Sequence, residues 1–255
     1  MFGWFKVKSP LTADQACWLD AKFSWLRAEF GDKRLFGRIV MPTDEFFPDE
    51  YSGDLETVQA LFERICEYMG VNRGRVNLKL YKTPAADDVA TAFNPALWSE
   101  YALGIFQETE DRIDIWLEAT RLAEPESVVA TLAHELAHVH LLADGRYDVA
   151  NEDHERLTDL VVVYFGMGIF IANSAIREAN WRVGRVSGWS ASRQGYLSLP
   201  EHSYALALYA NARRERNPNW ASYLRKDVRA LFNLELDNLA SGRKTQRPPS
   251  LNSEM

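Results

Sequence analysis

The chain has 255 residues, 47% hydrophobic and 25% charged, which is globular composition with enough apolar material for a sizeable core. A formal net charge of −7 argues against nucleic acid as a general partner, because phosphate binding needs a basic surface. Two cysteines, Cys17 and Cys66, are too few and too far apart for a disulfide framework, and no CxxC is present to hold a metal.

The first ten residues, MFGWFKVKSP, are too short and broken for a signal peptide, so a cytoplasmic location is expected. Residues 12–30 read as a helix, with Trp18, Phe23, Trp25 and Leu26 as apolar bulk, Thr12 as its cap and Gly31 as its end. A loop rich in Pro, Asp and aromatics follows over 41–53. Asp54 opens a second helix running to Gly70, with Leu55, Val58, Leu61, Phe62 and Ile65 on one face.

The pattern then changes period. Val76, Leu78 and Leu80 alternate with Asn77, Lys79 and Tyr81, which predicts a half-buried strand. Residues 102–107 and 113–117 are two further strand candidates, the latter alternating Ile113, Ile115 and Leu117 with Asp114 and Trp116. From Glu126 onward the sequence reads as helix broken by loops, including a long loop over 180–197 and a last helix over 219–239. The apolar run 160–172 is shorter than a membrane span needs and is interrupted by Gly166 and Gly168, so it reads as a buried core helix and no membrane span is expected. The tail, 241–255, is polar with two prolines and is expected to be disordered. Helices, then a small sheet, then helices argue for an α+β fold. The expected organisation is an N-terminal helical region over 1–75, a metal-binding domain over 76–240 and the tail.

The chemistry concentrates in residues 128–142, VVATLAHELAHVHLL. Pro125 suits a first helical turn and Glu126 complements its positive end. Val128, Leu132, Leu136 and Val139 repeat at three or four residues and define a buried face. His134 and His138, four apart, project from one face and can occupy two corners of a zinc tetrahedron. Glu135 stands about 100° around the helix from His134, placed to act as a base on water at the metal. His140 lies about 200° from His138 and reads as structural.

Two histidines do not complete a catalytic zinc site; a third protein ligand is required. The segment 151–166, NEDHERLTDLVVVYFG, offers Glu155 and Asp159 four apart on one face of the next helix. An apolar run follows, so Asp159 would border a buried segment where an unpaired charge is costly. HExxH followed by ExxxD resembles the gluzincin branch of zinc metallopeptidases, the thermolysin-like group, whose pattern is HExxH and then NExxSD. The resemblance covers roughly residues 105–173. It implies a zincin-like domain with a small antiparallel or mixed sheet beside the HExxH helix. It also implies one zinc ion per chain held by His134, His138 and Glu155, with Asp159 hydrogen-bonded to His134, and Glu135 as catalytic base. Thr158 stands where the family has Ser, and His154, not Asn, precedes Glu155.

Two rival third ligands remain. Asp144 falls at the last position of the metzincin pattern HExxHxxGxxH, although Leu141 occupies its Gly position. His154 is the other. In zincins a strand beside the metal helix walls the cleft, so 113–117 or 102–107 is expected to hold a peptide by main-chain pairing. Thermolysin-like enzymes add Tyr and His donors for a developing oxyanion. Here Ser198 and Glu201 read as a capping box opening a helix that carries His202 and Tyr204, the candidates for that role, with Tyr209 further along. The expected function is zinc-assisted hydrolysis of a peptide or protein substrate. The alternatives are a non-catalytic zinc-binding regulatory or interaction module on the same scaffold, and a helical protein without metal.

Overall fold

In the computed structural model, residues 9–82, 104–108, 112–183, 186–193 and 196–242 are described. The fold is α+β and mostly helical, with a small mixed sheet. The expected disordered tail lies almost wholly outside the described residues.

Helix α1, Ala13–Leu35, begins as its sequence requires. Thr12 accepts from the Gln15 amide and the Gln15 side chain accepts from the Thr12 amide, a reciprocal capping box. Its end differs from the expectation at Gly31. That residue takes φ +72, ψ 169, a region open essentially to glycine alone, but the chain kinks there and stays helical to Leu35. The Tyr164 hydroxyl donates to the Gly31 carbonyl at 3.0 Å, and Arg27 pairs with Asp32 across the kink. Helix α2, Leu55–Met69, matches the reading: Asp54 accepts from the Thr57 amide, and Gly70 ends the helix in the left-handed conformation at φ +70.

Strands β1 (Val76–Tyr81), β2 (Gly104–Glu108) and β3 (Ile113–Glu118) form one sheet in the order β1-β3-β2. β1 runs parallel to β3 with Val76 opposite Ile113, and β2 runs antiparallel to it with Phe106 opposite Ile115. β3 is therefore central. Its polar positions Asp114 and Glu118 are buried along with Ile113, Ile115 and Leu117. Asn77 and Lys79 hold the Asp114 carboxylate, and Thr120 and Arg121 hold Glu118.

Helix α3, Pro125–His138, continues into a π-helical turn at Val139–Ala143. Helix α4, His154–Val162, runs through a second π turn, Val163–Met167, into α5, Gly168–Ser174. Gly166 is the break in that run. It adopts φ +83 and lies so close to Arg38 that a Cβ would overlap the Arg38 carbonyl oxygen, while its own carbonyl accepts from Val40 at 2.9 Å. The run His154–Ser174 is long and apolar enough to cross a membrane by length and composition, but 89% of its most apolar window is buried inside the protein.

The segment read as a loop over 180–197 is instead mostly a hairpin that begins earlier. β4 (Ile176–Val183) pairs antiparallel with β5 (Val186–Arg193). α6, Leu199–Ala212, starts at the expected Ser198–Glu201 capping box. The last predicted helix is split into a 3₁₀ turn, Asn219–Tyr223, and α7, Lys226–Ala240. The cause is Asn173: its side chain donates to the Tyr223 carbonyl and accepts from the Arg225 amide, capturing backbone groups at the break. One hydrophobic cluster joins Leu19 and Leu26 of α1, Ile65 of α2, Leu132 and Leu136 of α3, Leu160 of α4 and Phe232 of α7.

Candidate metal centre

α3 and α4 lie side by side, and their facing residues build the site. α3 is almost entirely buried, because small residues such as Ala133 and Ala137 let neighbours close on it. The first turn of α4 is anchored from outside by α1: Trp18 Nε1 and Lys22 both reach the Asp153 carboxylate, and the Tyr147 hydroxyl donates to its other oxygen. Arg156 stacks over Trp18 and pairs with the buried Glu201 of α6. These contacts fix where Glu155 and Asp159 stand against α3.

Glu155 Oε2 lies 3.0 Å from His134 Nε2 and 3.3 Å from His138 Nε2. The ligand atoms of these three residues all lie within 4.8 Å of one another. Corners of a tetrahedral zinc site stand about 3.3 Å apart for metal–ligand bonds near 2.0–2.1 Å, and the two Glu155–histidine separations, 3.0 and 3.3 Å, match that edge. The other ring nitrogens are held from behind. His134 Nδ1 is 2.9 Å from Asp159 Oδ1. His138 Nδ1 is 3.3 Å from Thr158 Oγ1, whose own proton goes to the His154 carbonyl. Thr158 therefore accepts from His138, and both histidines present their Nε2 atoms to the common point. This orientation and donor chemistry fit zinc.

The electrostatics agree. Burial disfavours a charged His134, but hydrogen bonds to Asp159 and Glu155 raise its pKa well above the ordinary value. Burial likewise opposes ionisation of Glu155 and Asp159, yet the histidine contacts hold both carboxyls below their usual range. His138 is pushed down, chiefly by burial. Two ionised carboxylates around paired imidazoles make a place that selects positive charge. Glu135 is 5% exposed, and no described residue hydrogen-bonds its carboxylate. Burial pushes it up to about 7, with the charge of Glu155 adding to the rise and His134 opposing it.

Asp159 does more than hold His134. It is fully buried, and its Oδ2 accepts from the backbone amides of Tyr196 and Leu197 at 2.7 and 2.8 Å. His202 Nε2 is 3.7 Å from the same oxygen. His202 is therefore not an oxyanion donor in the cleft but lies behind Asp159, fully buried. Tyr204 is also displaced from its expected role: its hydroxyl is 2.9 Å from Asp20 Oδ1 of α1. Tyr209 is buried beside Arg213. Each faces away because α6 packs its tyrosines against neighbouring helices.

Asp144, the rival ligand, pairs with Arg75 and Arg146 instead. His154 turns Nδ1 to the Asn151 carbonyl and sits at the rim, with Nε2 3.3 Å from the outer oxygen of Glu155. His140 is structural, its Nε2 2.8 Å from the Met69 carbonyl and its ring against Phe30 and Phe165. β3 is paired on both sides, so it cannot receive a peptide. β2 has one edge without a partner among the described strands, and its Phe106 ring stands 5.5 Å from that of His138.

Sequence reasoning missed Tyr196 as a site residue. Its ring stacks on His134 at 5.6 Å and 19°, and burial, then the charges of Glu155 and Glu135, raise its hydroxyl pKa. No spacing rule ties it to the HExxH helix; the only local hint is its position two residues before the Ser198 cap. Set against models of protein families, against curated proteins and against solved structures, the chain matches none.

Proposed function

We propose that the chain is a zinc-dependent hydrolase of peptide bonds, with His134, His138 and Glu155 as the metal ligands and Glu135 as general base. The observation that carries this reading is the convergence of two Nε2 atoms and one carboxylate oxygen, with Asp159 and Thr158 orienting the two rings from behind. Bound there, zinc supplies a Lewis acid that acidifies water and polarises a carbonyl. Glu135 takes the proton of the attacking water and returns it to the leaving amine. It suits that task because it is buried beside the ligands but is not one of them, and no described residue hydrogen-bonds its carboxylate. The outer edge of β2 holds the substrate chain by main-chain pairing, and Tyr196, layered on His134, walls the other side. The arrangement shares the motif order of gluzincins, and the substrate class follows from that likeness.

Elemental analysis of the purified chain, with hydrolysis of a mixed peptide library, tests the reading. About one zinc per chain is expected, with almost none in His138→Ala. Zinc without any hydrolysis would leave the non-catalytic zinc module as the correct reading. A full equivalent retained by His138→Ala would place the metal elsewhere.

A further inference from the structure

A cavity of about 260 Å³ lies between the 42–51 loop, α2 and the first turn of α3. Its lining shares no residue with the metal centre, and Val129, the lining residue of α3 nearest to it in sequence, precedes His134 by five residues, about 7.5 Å along the helix axis. The floor is apolar: Phe47, Leu61, Val129 and Phe170, with the two phenylalanine rings edge to face at 5.5 Å.

The rim is acidic. Arg64 is the one basic residue in the lining, and it is committed to Asp49 at 2.5 Å. Asp44, Glu50 and Glu126 also line the opening, and among the described residues none has an ion-pair or hydrogen-bond partner for its carboxylate. The positive end of α3, equivalent to about half a charge, opposes a cation, but three carboxylates outweigh it. An aromatic floor under unpaired carboxylates is complementary to an organic cation with an apolar stem. The volume lies below the ~300–1,000 Å³ of drug-sized sites, which points to a group the size of one side chain. Among such cations guanidinium is planar and weakly hydrated and stacks on rings, whereas ammonium holds its water.

We propose that this cavity binds a guanidinium group on a short aliphatic stem. The reading is independent of the metal centre. Two sources share that chemistry, a free alkylguanidine and an arginine side chain in a peptide. The test is calorimetric titration of the full chain at low ionic strength with n-butylguanidinium, with n-butylurea as its neutral counterpart, and with N-acetyl-Gly-Arg-Gly-amide. A Kd on the order of 1 mM or tighter is expected for the cation, with no binding of the urea. The Asp44→Asn/Glu126→Gln double variant should weaken the cation about fivefold or more, and added salt should weaken it further. His138→Ala should leave it unchanged. Tighter binding of the tripeptide than of butylguanidinium identifies a peptide arginine as the ligand; the reverse identifies a small molecule. Equal binding of cation and urea, or no binding of either guanidinium probe, would overturn the proposal even if the double variant does not fold.

Discussion

Asp159 and His134 share a buried hydrogen bond of 2.9 Å, and the second oxygen of Asp159 holds two successive backbone amides, Tyr196 and Leu197. One carboxylate thus orients the His134 ring and fixes the path of the chain leading into α6. A half-satisfied carboxylate at this depth would be costly, and here neither oxygen is left without partners.

The ligand and its support should separate experimentally. Glu155→Ala removes one of three ligand atoms and should damage zinc binding most. Asp159→Asn keeps an oxygen at the site but loses charge, and should cost about 10–100-fold in affinity. Asp144→Ala, which releases Arg75, Arg146 and a longer contact to His140, all outside the His134–His138–Glu155 cluster, should have little effect. Chelator competition on all three variants gives the ranking; Asp144→Ala as the most damaging would mean a metzincin-like ligand set.

Thr158 makes a parallel prediction for the second histidine. Thr158→Val keeps the volume and removes the acceptor 3.3 Å from His138 Nδ1. Zinc affinity should fall by about tenfold while the fold persists, because the imidazole then loses the contact that sets its tautomer. Unchanged affinity with an unchanged unfolding midpoint would show that His138 is oriented by packing alone.

Glu135→Gln should retain zinc and lose hydrolysis by roughly 10²-fold or more, since the amide cannot take a proton. Metal content and turnover measured on one preparation decide this. Loss of zinc would reassign Glu135 as a ligand.

Gly166 should tolerate no side chain. Alanine there must adopt a positive φ and meet the Arg38 carbonyl, which together cost about 2–4 kcal/mol. Urea denaturation of Gly166→Ala against the parent chain measures it, and a loss below 1 kcal/mol would contradict the close approach.

The two cysteines should differ sharply towards a thiol reagent. Cys17 is exposed, whereas burial pushes the Cys66 thiol up to about 12. Only about 10⁻⁴ of Cys66 is then thiolate at pH 8, and access is blocked as well. Native labelling should give one fast equivalent at Cys17, with Cys66 reacting only on unfolding. Equal rates would show that the α2 core opens readily.

What was legible in the sequence was what depends on neighbours along the chain. Four-residue spacing put His134 and His138 on one face and turned His140 away. Thr12 with Gln15, Asp54, Gly70 and Ser198 with Glu201 marked helix ends, because capping is satisfied within a few residues. The pairing of Glu155 and Asp159 was visible as a spacing and as charges entering an apolar run.

Tertiary packing decided the rest. His202 and Tyr204 share a helix face rule with many buried residues, and only the docking of α6 turns one towards Asp159 and the other towards Asp20. Tyr196 reaches His134 because its own amide and that of Leu197 satisfy a carboxylate 37 and 38 residues earlier. The last helix breaks where Asn173 competes for its backbone, and at Gly31, where a helix bends instead of ending, the carbonyl accepts from the Tyr164 hydroxyl. In each case a polar group had to find a partner once it was out of water, and that partner lay far away in sequence, beyond the reach of any local period.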